Sequence, residues 1–233
     1  MRSNHWRILI MTLAVAMVPA PSFAGSWLLG FSPADTLPSG AFSAIAGTGG
    51  QYTSTGSPRT SNFTPFLAHA GIRAGVADGW DIGYRLATLA LPYSSVGPSL
   101  GSEIDVKHRL TAMSDPWQAA LVVGVGYSYL DIQSNSRSAW SPGIDLIISH
   151  SMSSKYTVFT DLRYVYTLIP TAVGGSGANN YQAYGPGIGV KINLTDTVSL
   201  TPEIGIFDFR GNLLGVQENG FAMQYGAVLG FRF

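Results

Sequence analysis

The side chains that could do chemistry here are thirteen Lys and Arg, thirteen Asp and Glu, four His and the hydroxyl residues; there is no Cys. Without Cys there is no disulfide, no thiolate metal site and no thiol nucleophile. A Ser–His–acid hydrolase needs an imidazole held by a carboxylate and touching a hydroxyl. Of His69, His108 and His150, only His69 falls on a polar row, and no Ser-containing motif is tied to it. No His-x-x-x-His spacing offers a metal site. Gly174-Gly175-Ser176-Gly177 is glycine-rich, but no strand-to-helix unit follows it, so it reads as a flexible loop rather than a phosphate cradle. With zero formal net charge and no basic run, nothing attracts nucleic acid. No cofactor and no catalytic residue is implied, and the expectation is a non-enzymatic protein.

The charges carry a different message, because they alternate with apolar residues. Ala68, Ala70, Ile72 and Ala74 interleave with His69, Gly71 and Arg73. Trp80, Ile82, Tyr84 and Leu86 interleave with Asp81, Gly83 and Arg85, and Ile104, Val106 and Leu110 oppose Glu103, Asp105, Lys107 and Arg109. The same holds for Asp145, for Asp161 with Arg163, for Lys191, for Glu203 and for Arg232. A period of two is the β-strand period, so each segment has one apolar face and one small or polar face. On this facing, seven basic residues (Arg73, Arg85, Lys107, Arg109, Arg163, Lys191, Arg232) and six acidic ones (Asp81, Glu103, Asp105, Asp145, Asp161, Glu203) line one interior. Such balance predicts paired charges filling a narrow lumen, not the single-sign lining of an ion-selective pore. The inward glycines Gly71, Gly83, Gly124, Gly126, Gly187 and Gly189 fit strand curvature and close packing better than open space.

Ten segments have this character: 40–51, 62–76, 80–93, 102–112, 117–130, 139–151, 156–168, 182–194, 198–209 and 222–233. Only 11% of residues are charged against 46% hydrophobic, where a soluble domain carries about 25% charge. The surface must therefore face something other than water. Beyond the N-terminal segment no apolar run reaches the roughly 20 residues of a spanning helix. Lipid-facing backbone must hydrogen-bond fully within the protein, which leaves a closed barrel. The predicted fold is all-β, an antiparallel up-and-down transmembrane barrel of ten strands, with eight or twelve as alternatives.

The connections point the same way. Ala77-Asp78-Gly79, Ser114-Asp115-Pro116, Ser153-Ser154-Lys155 and Thr195-Asp196-Thr197 read as short turns, alternating with longer links at 52–61, 94–101, 131–138, 169–181 and 210–221. Short turns on one side and long loops on the other predict that both mature termini are periplasmic. Trp80, Trp117, Tyr156, Phe231 and Phe233 fall at the turn edge, and Tyr93, Tyr127, Tyr129, Tyr164, Tyr166 and Tyr184 toward the other, as aromatic girdles would.

The last segment closes the pattern: Tyr225, Ala227, Leu229, Phe231 and Phe233 form an apolar row opposite Gln224, Gly226, Val228, Gly230 and Arg232. With its terminal Phe it resembles the closing strand of Gram-negative outer-membrane barrels, and that resemblance implies that Tyr225, Gly226, Leu229, Phe231 and Phe233 form the signature read by the barrel-assembly machinery. Thr36-Leu37-Pro38-Ser39-Gly40, the hairpin from Gly71-Ile72-Arg73 through Asp78-Gly79-Trp80-Asp81 to Gly83-Tyr84-Arg85, and Asp105-Val106-Lys107 further resemble a loose group of small, uncharacterised outer-membrane barrels. This likeness implies a fold and a location and transfers no catalytic or ligand residue.

Residues 1–24 predict a secretory signal peptide: Arg2, His5 and Arg7 precede the apolar run from Ile8 to Val18, and Ser22-Phe23-Ala24 puts small residues at the cleavage site. Residues 25–39 are expected to form an extended periplasmic arm or a strap across the barrel mouth, and 40–233 the barrel. The expected partners are outer-membrane lipid, the assembly machinery and, as cargo, a small solute or hydrophobic ligand. The leading expectation is porin-like restricted passage or a structural envelope role. The alternatives are a binding or adhesion module using the 169–181 and 210–221 loops, and an acyl- or peptide-modifying hydrolase centred on His69.

Overall fold

The computed structural model describes residues 30, 32–56, 59–89, 99–132, 135–169, 179–213 and 216–233. Ten antiparallel strands close into one barrel: β1 (Phe42–Thr55), β2 (Thr60–Ala77), β3 (Trp80–Leu89), β4 (Ser99–Arg109), β5 (Trp117–Ile132), β6 (Asn135–Ser151), β7 (Tyr156–Ile169), β8 (Asn179–Asn193), β9 (Val198–Leu213) and β10 (Val216–Arg232). Each pairs with its sequence neighbours, and β1 closes on β10, as expected of an up-and-down barrel.

Alternation decides the facing. Ile72, Ile104, Val123, Leu162, Ile188 and Ile206 are more than half exposed, whereas Val122, Ile147, Phe159 and Phe207, on the opposite rows, are at most 4% exposed. An apolar exterior around a buried, partly charged interior is the inverse of a water-soluble protein, and it suits hydrocarbon. Trp80, Trp117, Tyr156, Phe231 and Phe233 are exposed at the end of the barrel that carries the 78–79, 110–116, 152–155 and 194–197 turns, hereafter the turn end. Tyr93 and the 90–98 and 170–178 links lie outside the described residues.

The connections differ from the sequence expectation. Most of 52–61, 131–138 and 210–221 is paired strand: Tyr52 to Thr55 pair with Phe63 to Thr60, Asp131 with Ser136, and Arg210 with Asn219. Ser, Asn and Gly lower strand propensity, yet a continuing ladder partner overrides them. Conversely β4 ends at Arg109, so the connection to β5 spans 110–116 rather than three residues. The contrast between the two ends is therefore carried largely by hairpins that continue as paired ribbon.

Closure depends on the least regular strand. β1 pairs with β10 from Ser43↔Arg232 to Thr55↔Gly220 without a register shift, and Phe233 and Phe42 exchange backbone hydrogen bonds at the seam. On its other side, the register with β2 shifts between Gly49 and Gln51, where β2 holds one extra residue near Pro65. A bulge is where a strand tolerates Pro. Gly49 faces Gly226 across the seam, and a Cβ there would collide with the Tyr225 carbonyl. Gly49→Val is predicted to lower stability by at least about 1–3 kcal/mol through overpacking. The readout is the heat-modifiable folded band on gels; Thr48→Val, on the exposed row, serves as the control and should leave the band unchanged.

Candidate functional site: the lumen and its N-terminal strap

The interior is layered. In the half away from the turn end, Phe209 packs with Ala183 and Ala222, Gln224 donates to Gln51 at 2.6 Å, and Ser141 meets Thr167 at 2.8 Å. Nearer the turn end the filling becomes charged. Asp81, Arg85, Glu103, Asp105, Lys107, Arg109, Asp145, Asp161, Arg163 and Glu203 are all buried, Arg73 is partly so, and Lys191 and Arg232 line the turn-end mouth.

Two guanidinium groups organise these charges. Arg73 on β2 donates to both Asp81 and Asp105. It reaches Asp105 across β3, where the residue in register between them is Gly83; a Cβ at Gly83 would meet the Arg73 guanidinium and the Asp105 carboxylate. Arg163 on β7 donates to Asp161 and Glu203 and stands 3.9 Å from Asp145, with its guanidinium 5.6 Å from the Phe207 ring centre. Gly187 clears the space that this group occupies, since a Cβ there would meet Asp161 and Arg163. These two inward glycines are gaps filled by long charged side chains from neighbouring strands. Arg109 pairs with Asp78 at 3.0 Å, closing the β2–β3 turn against β4.

The segment before β1 runs inside this lumen. Gly40, at φ +81°, turns the chain into β1, and its N–H donates to Gly75. From there residues 32–38 extend back into the barrel as a strap. Lys107, 2% exposed, donates to Ser32 Oγ at 2.6 Å, the Pro33 carbonyl at 3.0 Å and the Asp35 carbonyl at 2.9 Å. An ammonium has three protons, and the strap accepts all of them. Arg85 donates to the Gly30 carbonyl at 3.3 Å, the Ala34 N–H donates to Ser149 Oγ at 3.2 Å, and the Leu37 N–H donates to Asp81 at 3.2 Å. The Ala34 methyl is fully buried against Ala120, Val122, Ile147 and Phe159. The strap thereby joins β3, β4, β5, β6 and β7 from within.

One strap side chain makes an ionic contact. Asp35 accepts from Lys191 Nζ at 2.7 Å, with about a third of its side chain open to the mouth. Burial opposes its charge, but Lys191, Lys107 and Arg232 outweigh that and hold its carboxyl at about 2. Asp35 also makes the interior neutral, bringing the lining to seven acids against seven bases.

The three histidines of 25–233 lie in separate places. His69 lies against Gly47 beside a cavity of about 30 Å³, whose lining of Gly49, Gly50, Leu67, Ala68, Ala87, Thr88, Gln224 and Tyr225 includes no carboxylate. His108 stacks on Trp80 and His150 on Trp117, each with Nδ1 near a turn carbonyl, of Gly79 and Pro116 respectively. Among the described residues no group of three or more His, Asp or Glu is placed to hold a metal ion. Alternation places Ser149 on the inward row of its strand, where it is buried, but sequence reasoning did not single out Ser32 or Asp35 as lumen residues. The strap has no periodicity, and the faint signal was the one cation left over in the lining tally.

No protein-family profile matches the sequence, and no curated protein matches it. Solved structures do resemble the fold. The outer membrane protease OmpT of Escherichia coli superposes with a TM-score of 0.54 at 11% identity, covering 86% of this chain and all of that one. An outer membrane channel of Pseudomonas putida F1 (TM-score 0.45, 11% identity, 85% of this chain and 97% of that one) is also similar, as is Neisserial surface protein A (0.38, 15%, 83% and 99%). At such identities the likeness is one of fold alone: this chain closes into the same kind of antiparallel barrel as the outer membrane protease.

The Asp35 contact sets a pH signature. A depressed carboxyl stabilises the folded state above its unfolded value near 4, and the contribution disappears as pH falls toward 2. Asp35→Asn is predicted to lower Tm by roughly 2–4 °C at pH 7, as expected for a partly exposed pair. That gap should stay constant down to about pH 5 and narrow below pH 4 in differential scanning of the two proteins.

Proposed function

We propose that this is a non-enzymatic barrel of the Gram-negative outer membrane, exported by its 1–24 signal segment, with both mature ends in the periplasm. Its lumen is held closed by its own strap. The role is that of a structural envelope protein in which ions or small solutes pass only when the strap leaves. The apolar exterior, the girdle at the turn end and the likeness of fold support the location.

One observation carries the closed state: Lys107 spends all three of its protons on the strap. A buried ammonium deprived of acceptors costs several kcal/mol, so the strap and the lysine hold each other in place. Removing the strap would require water to replace it around Lys107, Arg85 and Asp81. The hydrated interior would then conduct.

Planar bilayer recording tests this. The intact mature chain is predicted to be nearly silent, and a chain lacking residues 25–39 to show discrete small conductance steps. Frequent steps from the intact chain would contradict a closed lumen, and silence from the truncated one would remove the solute-passage role.

A further inference from the structure

The turn-end mouth encloses a cavity of about 860 Å³ beside the strap. This is within the range of ligand pockets, about 300–1,000 Å³. Hydroxyl residues, among them Ser43, Thr157 and Ser199, line part of it. Lys191 lies opposite Thr157 in register, and Arg232 opposite Ser43. Arg232 makes no ion pair among the described residues, and its side chain is exposed in the mouth. Lys107 stands behind, bound to the Asp35 carbonyl. The same cavity is lined by Asp81 and Asp105, both paired with Arg73, and by Asp196; to these the strap adds one carboxylate, that of Asp35, which contacts Lys191.

We propose that Lys191 and Arg232, backed by Lys107, form a small-anion site that Asp35 fills from within the chain and for which a free phosphate or carboxylate competes. The chemistry is that of a point-charge ammonium, a forked guanidinium and neighbouring hydroxyl donors, a set that suits tetrahedral and planar oxyanions. Because Asp35 is tethered, it acts at an effective concentration in the millimolar range, so a soluble rival acts at millimolar levels or above. An anion that takes Lys191 from Asp35 removes the Asp35–Lys191 ion pair and biases the strap toward release. The inference deepens the closed-lumen reading by giving the strap a ligand that loosens it.

The test is a thermal-shift titration with inorganic phosphate on the folded barrel in phosphatidylcholine nanodiscs. Asp35→Asn vacates the site with little change of shape. It should bind phosphate at least tenfold more tightly than the unaltered protein, seen as a rise in Tm at lower concentration. Adding Lys191→Gln and Arg232→Gln to Asp35→Asn should abolish the rise. Heat-modifiable gel mobility checks that each variant is folded, and Lys191→Gln with Asp35→Asn alone serves if Arg232→Gln fails to assemble. A parallel set in phosphatidylglycerol nanodiscs without added phosphate distinguishes a lipid headgroup from a soluble ion as the source. No rise in Asp35→Asn from either source, or equal rises with and without the two cations, would overturn the site. Because binding is read without conductance, a truncated barrel that stays silent would leave this result standing.

Discussion

The interior depends on one requirement: a buried ammonium needs three acceptors. Lys107 is 2% exposed on β4, and the barrel wall supplies none of the acceptors it uses; all three come from residues 32–35. The strap is therefore part of the lumen's hydrogen-bond closure and not an appendage to a finished barrel. In return, Arg85, Ser149 and Asp81 meet the Gly30 carbonyl and the Ala34 and Leu37 N–H groups. Neither partner can leave without the other facing a desolvation penalty that only water can relieve.

The same logic explains the layering. Charge is excluded from the outer face because lipid cannot solvate it, so the charged residues of the strands collect inside. Once inside most of them pair, though neither buried oxygen of Glu103 has a hydrogen-bond partner among the described residues. Arg73 and Arg163 each gather carboxylates from more than one strand, and Gly83 and Gly187 leave the room for them to do so. Breaking such a group by removing one partner strands the others, so the ion pairs fix which wall stands opposite which. Away from the turn end, Phe207, Phe209 and Tyr181 fill the lumen by volume instead. The barrel is a closed sheet with a core, and the strap completes that core.

Much of the fold was legible in the sequence, because a transmembrane strand must alternate and ten segments do. The period of two separates Ile104 and Val106 from Glu103, Asp105 and Lys107 with no knowledge of the partner strands. It also supplied the count and the antiparallel order. What it could not supply was which charges meet: Arg73 and Asp105 lie on strands that are not adjacent, and only the register through Gly83 brings them together. Strand ends were less legible as well. Ser54 and Asn219 look like loop residues until a paired neighbour holds them in the ladder. The strap was least legible, because its docking uses main-chain atoms that every sequence possesses.

The central claim is that this strap lies inside the barrel, and the absence of native cysteine makes it directly testable. Ala34 and Ser149 are in contact across the lumen, whereas Ile148 points outward. Cysteines placed at Ala34 and Ser149 in the folded, membrane-inserted protein should crosslink under mild oxidation in high yield. Cysteines at Ala34 and Ile148 should not. Failure of the first pair to crosslink, or equal yields from the two pairs, would contradict a strap lodged in the lumen.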